Sequence, residues 1–156
     1  MELVVLCGLQ ASGKSTFRRE RLSDHVVVSK DLLRNNRRPE RRQRQLVDEA
    51  LAAGRCVVVD NTNPSPEDRR PLVAIARRHG AITVAYYFDE PFDACLRRNA
   101  ARPDRQRVPE VGLFDVRRRL QPPARDEGFD ERWRVRLAAA GGFRVTPLPA
   151  QCDWNG

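Results

Sequence analysis

An α/β fold, a parallel β-sheet of about five strands with helices on both faces, follows from three features of the sequence. Short apolar runs rich in Val, Ile and Leu recur at residues 2–7, 26–29, 55–59 and 81–88, each of a length and composition that suit a strand buried on both sides. Segments with helical spacing of apolar residues separate them, which is the order of a βαβ chain. The first run feeds Gly8-Leu9-Gln10-Ala11-Ser12-Gly13-Lys14-Ser15-Thr16, a G-x-x-x-x-G-K-S loop that requires a strand before it and a helix after it.

The residue types in that loop are those that triphosphate binding requires. Gly8 and Gly13 let the backbone curl so that successive N–H groups converge on phosphate oxygens. The positive end of the following helix faces the same oxygens. Lys14 would place its charge on the β- and γ-phosphates, and the Ser15 hydroxyl would reach Mg²⁺. Of 29 Lys and Arg only Lys14 and Lys30 are lysines, so composition does not explain a lysine at the motif position. Gly8, Ala11, Ser12, Gly13, Lys14, Ser15 and Thr16 are the candidate nucleotide site, with Ser15 as its metal contact.

In chain order, a polar, basic helix follows the loop. Residues 26–29 form the second strand, Lys30-Asp31-Leu32-Leu33-Arg34 starts at its C-terminal end, and residues 35–39 are a basic loop. A helix over 40–53 carries Leu46, Val47, Ala50 and Leu51 on one face and stops at Gly54. The third strand, 55–59, runs into Asp60-Asn61-Thr62-Asn63-Pro64. Ser65, Pro66 and Asp68 then supply a cap, a first-turn proline and an acidic first turn for the next helix. That helix holds Leu72, Val73, Ile75 and Ala76, takes Pro71 into its early turns and stops at Gly80. The fourth strand, 81–88, precedes a helix opened by Pro91, with Phe92, Cys95, Leu96 and Asn99 spaced for one face. A polar stretch from Arg102 to Pro109 leads into a helix with Val111, Phe114 and Leu120. Residues 132–137 alternate as an edge strand would, and 143–145 make a last short strand. Sites in such folds lie at the C-terminal ends of the strands, where the loop, Asp31, Asp60 and Glu90 all fall.

A chain of 156 residues, 40% hydrophobic and 32% charged, is of a size and composition for one domain with a single core. Its apolar runs are far shorter than a membrane span, and the N-terminal one reads as a core strand rather than a signal peptide. No membrane association is expected, and a cytoplasmic location is. Cys7, Cys56, Cys95 and Cys152 show no C-x-x-C pairing, which suits reduced thiols and argues against a zinc site. A net charge of +8 and a pI of about 10.3 favour polyanionic partners, although solvated arginines on helix faces explain such a total equally well.

A triphosphate loop alone serves switches, motors and kinases. The N-K-x-D motif of guanine-nucleotide switches is absent from the sequence. A phosphotransferase needs a base near the acceptor hydroxyl and cations over the γ-phosphate. Asp31, just past the second strand, suits the base. Arg34, three residues on, shares its helical face and would hold an anionic acceptor. The competing readings are a first-turn acid that stabilises a helix dipole and a solvated surface arginine. Arg98 and Arg102 stand at i, i+4 spacing, where like charges repel unless an anion lies between them or water solvates both.

Gly8–Phe17 (GLQASGKSTF), Ser29–Arg34 (SKDLLR), Val57–Pro64 (VVVDNTNP), Arg97–Arg102 (RRNAAR), Val108-Pro109 and Gln121–Phe129 (QPPARDEGF) together resemble the kinase domain of the polynucleotide 5′-kinases of phage and animals. The likeness runs to about residue 137. DNTNP and P-P-x-x-x-E-G-F look like the animal enzymes, and Asp31-x-x-Arg34 is similar to the phage one. The resemblance implies a P-loop kinase domain over residues 1–156 with a lid near 98–109. It implies Asp31 as general base, Arg34 on an acceptor phosphate, and Arg98 and Arg102 as lid arginines that act on the triphosphate. Asp60, Asn61, Thr62 and Asn63 would line the acceptor pocket. Gln10 departs from the proline of the animal loop, and the D-x-D motif of their phosphatase half is absent from the sequence.

The expected chemistry is therefore transfer from ATP, with Mg²⁺, to the 5′-hydroxyl of an oligo- or polynucleotide, with Lys14, Asp31, Arg98 and Arg102 as catalytic residues. The first rival is a kinase of a nucleoside, sugar or antibiotic. A non-catalytic ATP-dependent nucleic-acid-binding module is the second. An open acceptor groove would favour the polynucleotide, and a closed pocket the small alcohol.

Overall fold

In a computed structural model, which describes residues 1–149, strand β1 (Glu2–Gly8) is flanked on both sides by parallel partners. These are β3 (Val57–Asp60) and β4 (Ile82–Phe88), and with both edges paired and both faces covered Leu3 to Cys7 are wholly buried. The sheet continues to β2 (Val26–Val28) beyond β3, and to β5 (Glu131–Leu137) and β6 (Phe143–Pro147) beyond β4.

It thus has six strands rather than about five, in the order β2-β3-β1-β4-β5-β6, and β6 runs antiparallel to β5. The edge expected over 132–137 is consequently covered. A tight turn, closed where the Ala138 N–H donates to the Gly142 carbonyl at 3.0 Å, returns the chain alongside it. Alternation in sequence shows a two-faced strand but does not say whether its free edge finds a partner.

Successive β1 side chains point to opposite layers. Leu3, Val5 and Cys7 pack with Val47 and Leu51 of α2 (Pro39–Ala52) and with Leu72, Val73 and Ala76 of α3 (Pro66–Arg78). Val4 and Leu6 pack on the other face with Phe17 of α1 (Lys14–Arg21). The Phe17 ring lies 4.9–5.4 Å from those of Tyr86, Phe88 and Phe143, so β4 and β6 both grip the helix that follows the phosphate loop. Burial of such a side chain contributes about 1.5–3 kcal/mol. A third cluster, Leu9, Cys95, Leu113 and Val116, ties that loop to α4 (Phe92–Ala100) and α5 (Glu110–Arg119).

The start of α3 is set by the expected residues. The Ser65 Oγ accepts the Asp68 N–H at 3.3 Å, and the Asp68 carboxylate accepts the Ser65 N–H at 3.2 Å. Pro66 occupies the first turn, and Pro71 lies within the helix. Cys7, Cys56 and Cys95 are free thiols, while Cys152 and the end of the expected 1–156 domain lie outside the described residues. Among the described residues no helix is long and apolar enough to cross a membrane.

Candidate active site

The loop from Leu9 to Gly13 leaves the C-terminal end of β1. Gly8 has φ 153°, and a Cβ there would stand 2.9 Å from Phe88 Cβ and 3.1 Å from its carbonyl oxygen, so nothing larger than hydrogen fits. Ala11 and Gly13, at φ 60° and 98°, are left-handed, the turn that gathers successive N–H groups to one side. Inside the loop the Ser12 hydroxyl donates to the Leu9 carbonyl at 2.7 Å. Lys14 is buried, and its ammonium donates to the carbonyls of Gly8, at 3.0 Å, and of Leu9. Burial pulls its pKa from 10.5 down to about 8; Asp60 opposes that shift and the charge of Arg102 adds to it.

Ser15 and Thr16 are exposed at the start of α1. The Ser15 hydroxyl donates to Asp60 Oδ2 at 2.9 Å, and Arg18 Nε donates to the same oxygen at 2.9 Å. Asp60 is the last residue of β3, so a loop hydroxyl meets a carboxylate presented by the adjacent strand. Hard oxygen donors of this kind, with water completing the shell, suit Mg²⁺. Asp60, expected to line the acceptor pocket, has its Oδ2 occupied here by Ser15 and Arg18. Arg18 was missed, and nothing in its sequence neighbourhood distinguishes it from the arginines on either side.

The rest of that turn is hydrogen-bonded into the fold. The Thr62 carbonyl accepts the Gly8 N–H at 2.9 Å, and Asn63, buried at φ 41°, donates its amide to the Leu6 carbonyl at 2.8 Å. Asn61 accepts the Lys30 N–H at 2.8 Å and donates to Gln43 at 2.5 Å, linking β3 to the segment after β2 and to α2. Asn63 does contribute to a cavity of about 150 Å³, shared with Lys30, Gln43 and Arg44.

Arg69, unremarked in the sequence reading, holds the turn from below. It is fully buried and pairs with both Glu127 oxygens, at 2.7 and 2.9 Å. Its remaining nitrogen donates to the carbonyls of Asn63, at 2.9 Å, and Gln121, at 3.1 Å. Burial alone would lower its pKa, but the Glu127 carboxylate together with Cys7 raises it on balance. The available signal was its register: 69, 72, 73 and 76 form one face of α3, and the first is charged.

Asp31 and Arg34 occupy the same sheet edge, beyond β3. Ser29 caps a short 3₁₀ helix, Lys30–Leu33, with its hydroxyl accepting the Asp31 N–H at 3.2 Å. Both the Asp31 and the Arg34 side chains are exposed. The Asn61–Lys30 bond fixes this helix one strand away from the Ser15–Asp60 pair.

On the opposite side, α4 ends at Ala100, so Arg98 lies in its last turn and Arg102 in the turn after it. The helical i, i+4 pair expected from the sequence is therefore interrupted. Arg98 still points back over the loop, donating to the Ala11 carbonyl at 3.2 Å, with Glu90 at 3.5 Å. Asn99, whose spacing marks it only for packing, does more. Its buried amide exchanges both bonds with the Val108 backbone, at 2.7 and 2.9 Å, and so closes the loop 101–107 at its neck.

A family model described as an AAA domain matches residues 3–123. The chain is 28% identical over 133 residues to the bifunctional polynucleotide phosphatase/kinase of Schizosaccharomyces pombe, covering 82% of this chain and 32% of that one. It is 27% identical over 144 residues to the L-seryl-tRNA(Sec) kinase of Methanococcus maripaludis, covering 82% and 56%. It thus spans between a third and little more than half of these curated relatives. The crystal structure of a sugar kinase from Janibacter shares its fold, with a TM-score of 0.67 at 16% identity over 86% of this chain and 85% of that one.

Proposed function

The chain belongs to the AAA-domain family and has the P-loop kinase fold, and from that premise we propose that it transfers the γ-phosphate of ATP to the 5′-hydroxyl of an oligo- or polynucleotide. One observation carries the reading. Lys14 and the Ser15–Asp60 pair share a sheet edge with Asp31 and Arg34, whose side chains stand exposed rather than inside a closed pocket. An open acceptor side admits a long chain, and an arginine three residues from the base suits an acceptor that carries phosphate. The relative named as a polynucleotide phosphatase/kinase supports this reading, and the one named for seryl-tRNA supports only an acceptor that carries nucleic acid.

The residues divide the work. The loop N–H groups and Lys14 bind and orient the triphosphate. Ser15 and Asp60 would hold Mg²⁺, which when bound neutralises charge on the β- and γ-phosphates. Asp31 takes the proton of the attacking hydroxyl. Arg34 grips the acceptor's first phosphate. Arg98 and Arg102 stabilise charge on the transferred group from the far side.

A small-alcohol acceptor has one observation in its favour, the cavity beside the 3₁₀ helix lined by Lys30, Gln43, Arg44 and Asn63. Labelled γ-phosphate transfer to 5′-hydroxyl oligonucleotides, run beside a panel of sugars and nucleosides, separates the two readings. Label in the oligonucleotides supports the proposal. Label confined to the small alcohols overturns it, and no transfer at all would leave a binding module.

A further inference from the structure

One of the strongly positive stretches of this chain lies beside the acceptor residues. Between Lys30 and Arg44 seven Lys and Arg stand against two acids, a local +5, while the whole chain carries +8. Residues 97–107 and 117–125 each carry +4 as well, so the total alone is not distinctive and the pairing of these charges decides.

The cluster is also poorly neutralised where it is most exposed. Lys30 faces Glu40 at 3.4 Å and Arg42 faces Glu49 at 3.8 Å. Among the described residues, the exposed side chains of Arg34, Arg37, Arg38 and Arg41 have no carboxylate partner. Arg37 precedes α2, Arg38 is its N-cap and Arg41 lies in its first turn, so three like charges gather where α2 begins. They also stand at the end of the helix where its dipole disfavours cations. Local stability gives no reason for this arrangement, and a polyanion laid across it would.

We propose that Arg37, Arg38 and Arg41 form a track for the acceptor strand beyond its first nucleotide, making the preferred substrate a single strand several nucleotides long. The inference rests on the reading above for where the 5′ end lies. With the terminal hydroxyl at Asp31 and the first phosphate at Arg34, the chain direction carries later phosphates toward Arg37 and α2. Contacts there are electrostatic and indifferent to sequence.

The test combines anisotropy binding of 5′-hydroxyl oligonucleotides, without ATP, with transfer assays on a dinucleotide and an octanucleotide. The octanucleotide should bind about tenfold tighter or better, because added phosphate contacts release counterions. In the combined variant Arg37→Gln, Arg38→Gln, Arg41→Gln that advantage should vanish. The slope of log affinity against log salt should fall by roughly two, at about 0.7 per phosphate contact on a single strand. Dinucleotide transfer and melting temperature should stay at wild-type values. Arg42→Gln, which removes an ion-paired arginine from the same helix, should keep most of the advantage.

Equal affinity for the two lengths, or an Arg42→Gln loss as large as that of the combined variant, overturns the track. So does binding of the cluster to phosphatidylserine vesicles but not to oligonucleotides. Length-dependent binding without any transfer overturns the 5′-kinase reading and leaves the track standing.

Discussion

Around the phosphate loop the polar groups are held from within: Ser12 by the Leu9 carbonyl, Lys14 by two carbonyls, Ser15 by Asp60, Asn63 by the Leu6 carbonyl. Across β3, the side chains of Asp31, Arg34, Arg37 and Arg41 project into solvent from one short helix and the start of another. On the proposed reading the two halves of the site recognise different things. A triphosphate has the same shape in every turnover, so backbone N–H groups and a buried lysine can be placed for it in advance. A polynucleotide acceptor, as proposed, would vary in length and sequence, and exposed side chains would accommodate it without disturbing the core.

If that division holds, substitutions on the exposed side should remove chemistry and leave folding untouched, while those on the braced side should affect both. The sharpest case is Asp31→Asn, nearly isosteric but unable to accept the proton. Transfer should fall 10²- to 10⁴-fold, about the worth of general-base catalysis, with ATP affinity and melting temperature near wild type. Lys14→Ala should instead weaken triphosphate binding as well as turnover. Retention of most activity in Asp31→Asn would reduce Asp31 to a helix-capping acid.

Arg69→Met tests the braced side. It leaves Glu127 buried without its partner and strips donors from the Asn63 and Gln121 carbonyls. A loss of roughly 3–5 kcal/mol in denaturant unfolding is expected, as for breaking a buried ion pair from one side. A variant as stable as wild type would mean that the turn does not depend on this arginine.

The lid arginines lie between these extremes. Arg102→Ala should cost about 10²-fold in turnover, the scale of one donor acting on transition-state charge. Adding Arg98→Ala should cost less than the product of the single effects, because both act on one triphosphate. Full multiplicativity would mean that the two act independently, and activity within a few-fold of wild type would place both in solvent.

The smallest effect is on pH. Phosphate binds the ammonium form of Lys14, and a bound anion raises the pKa that burial has lowered to about 8. Below that pH the lysine is already charged and ATP affinity should be flat. Above it, binding must take up a proton, so affinity should fall by up to tenfold per pH unit in a titration with a fluorescent ATP analogue. No change across pH 8 would mean that Lys14 keeps its proton in the free protein.

Much of this architecture was legible without coordinates. The strand runs, the Ser65 cap, the stops at Gly54 and Gly80 and the phosphate loop are local patterns, set by side-chain period and by residues that tolerate one backbone shape. Gly8, Lys14 and Ser15 could be assigned from spacing alone because the loop carries its own geometry. Asp31 and Arg34 could be brought to the C-terminal edge because a short strand ends just before them. What only the tertiary structure decided are pairings between distant residues. Ser15 meets Asp60 across 45 positions and Arg69 meets Glu127 across 58, and both depend on β3 and β5 flanking the β1–β4 pair. The closing of the 101–107 loop by Asn99 and the return of β6 along β5 are of the same kind. Periodicity reports which face of an element is buried; it carries no information about which neighbour buries it, and that choice is made only when the strands take their order.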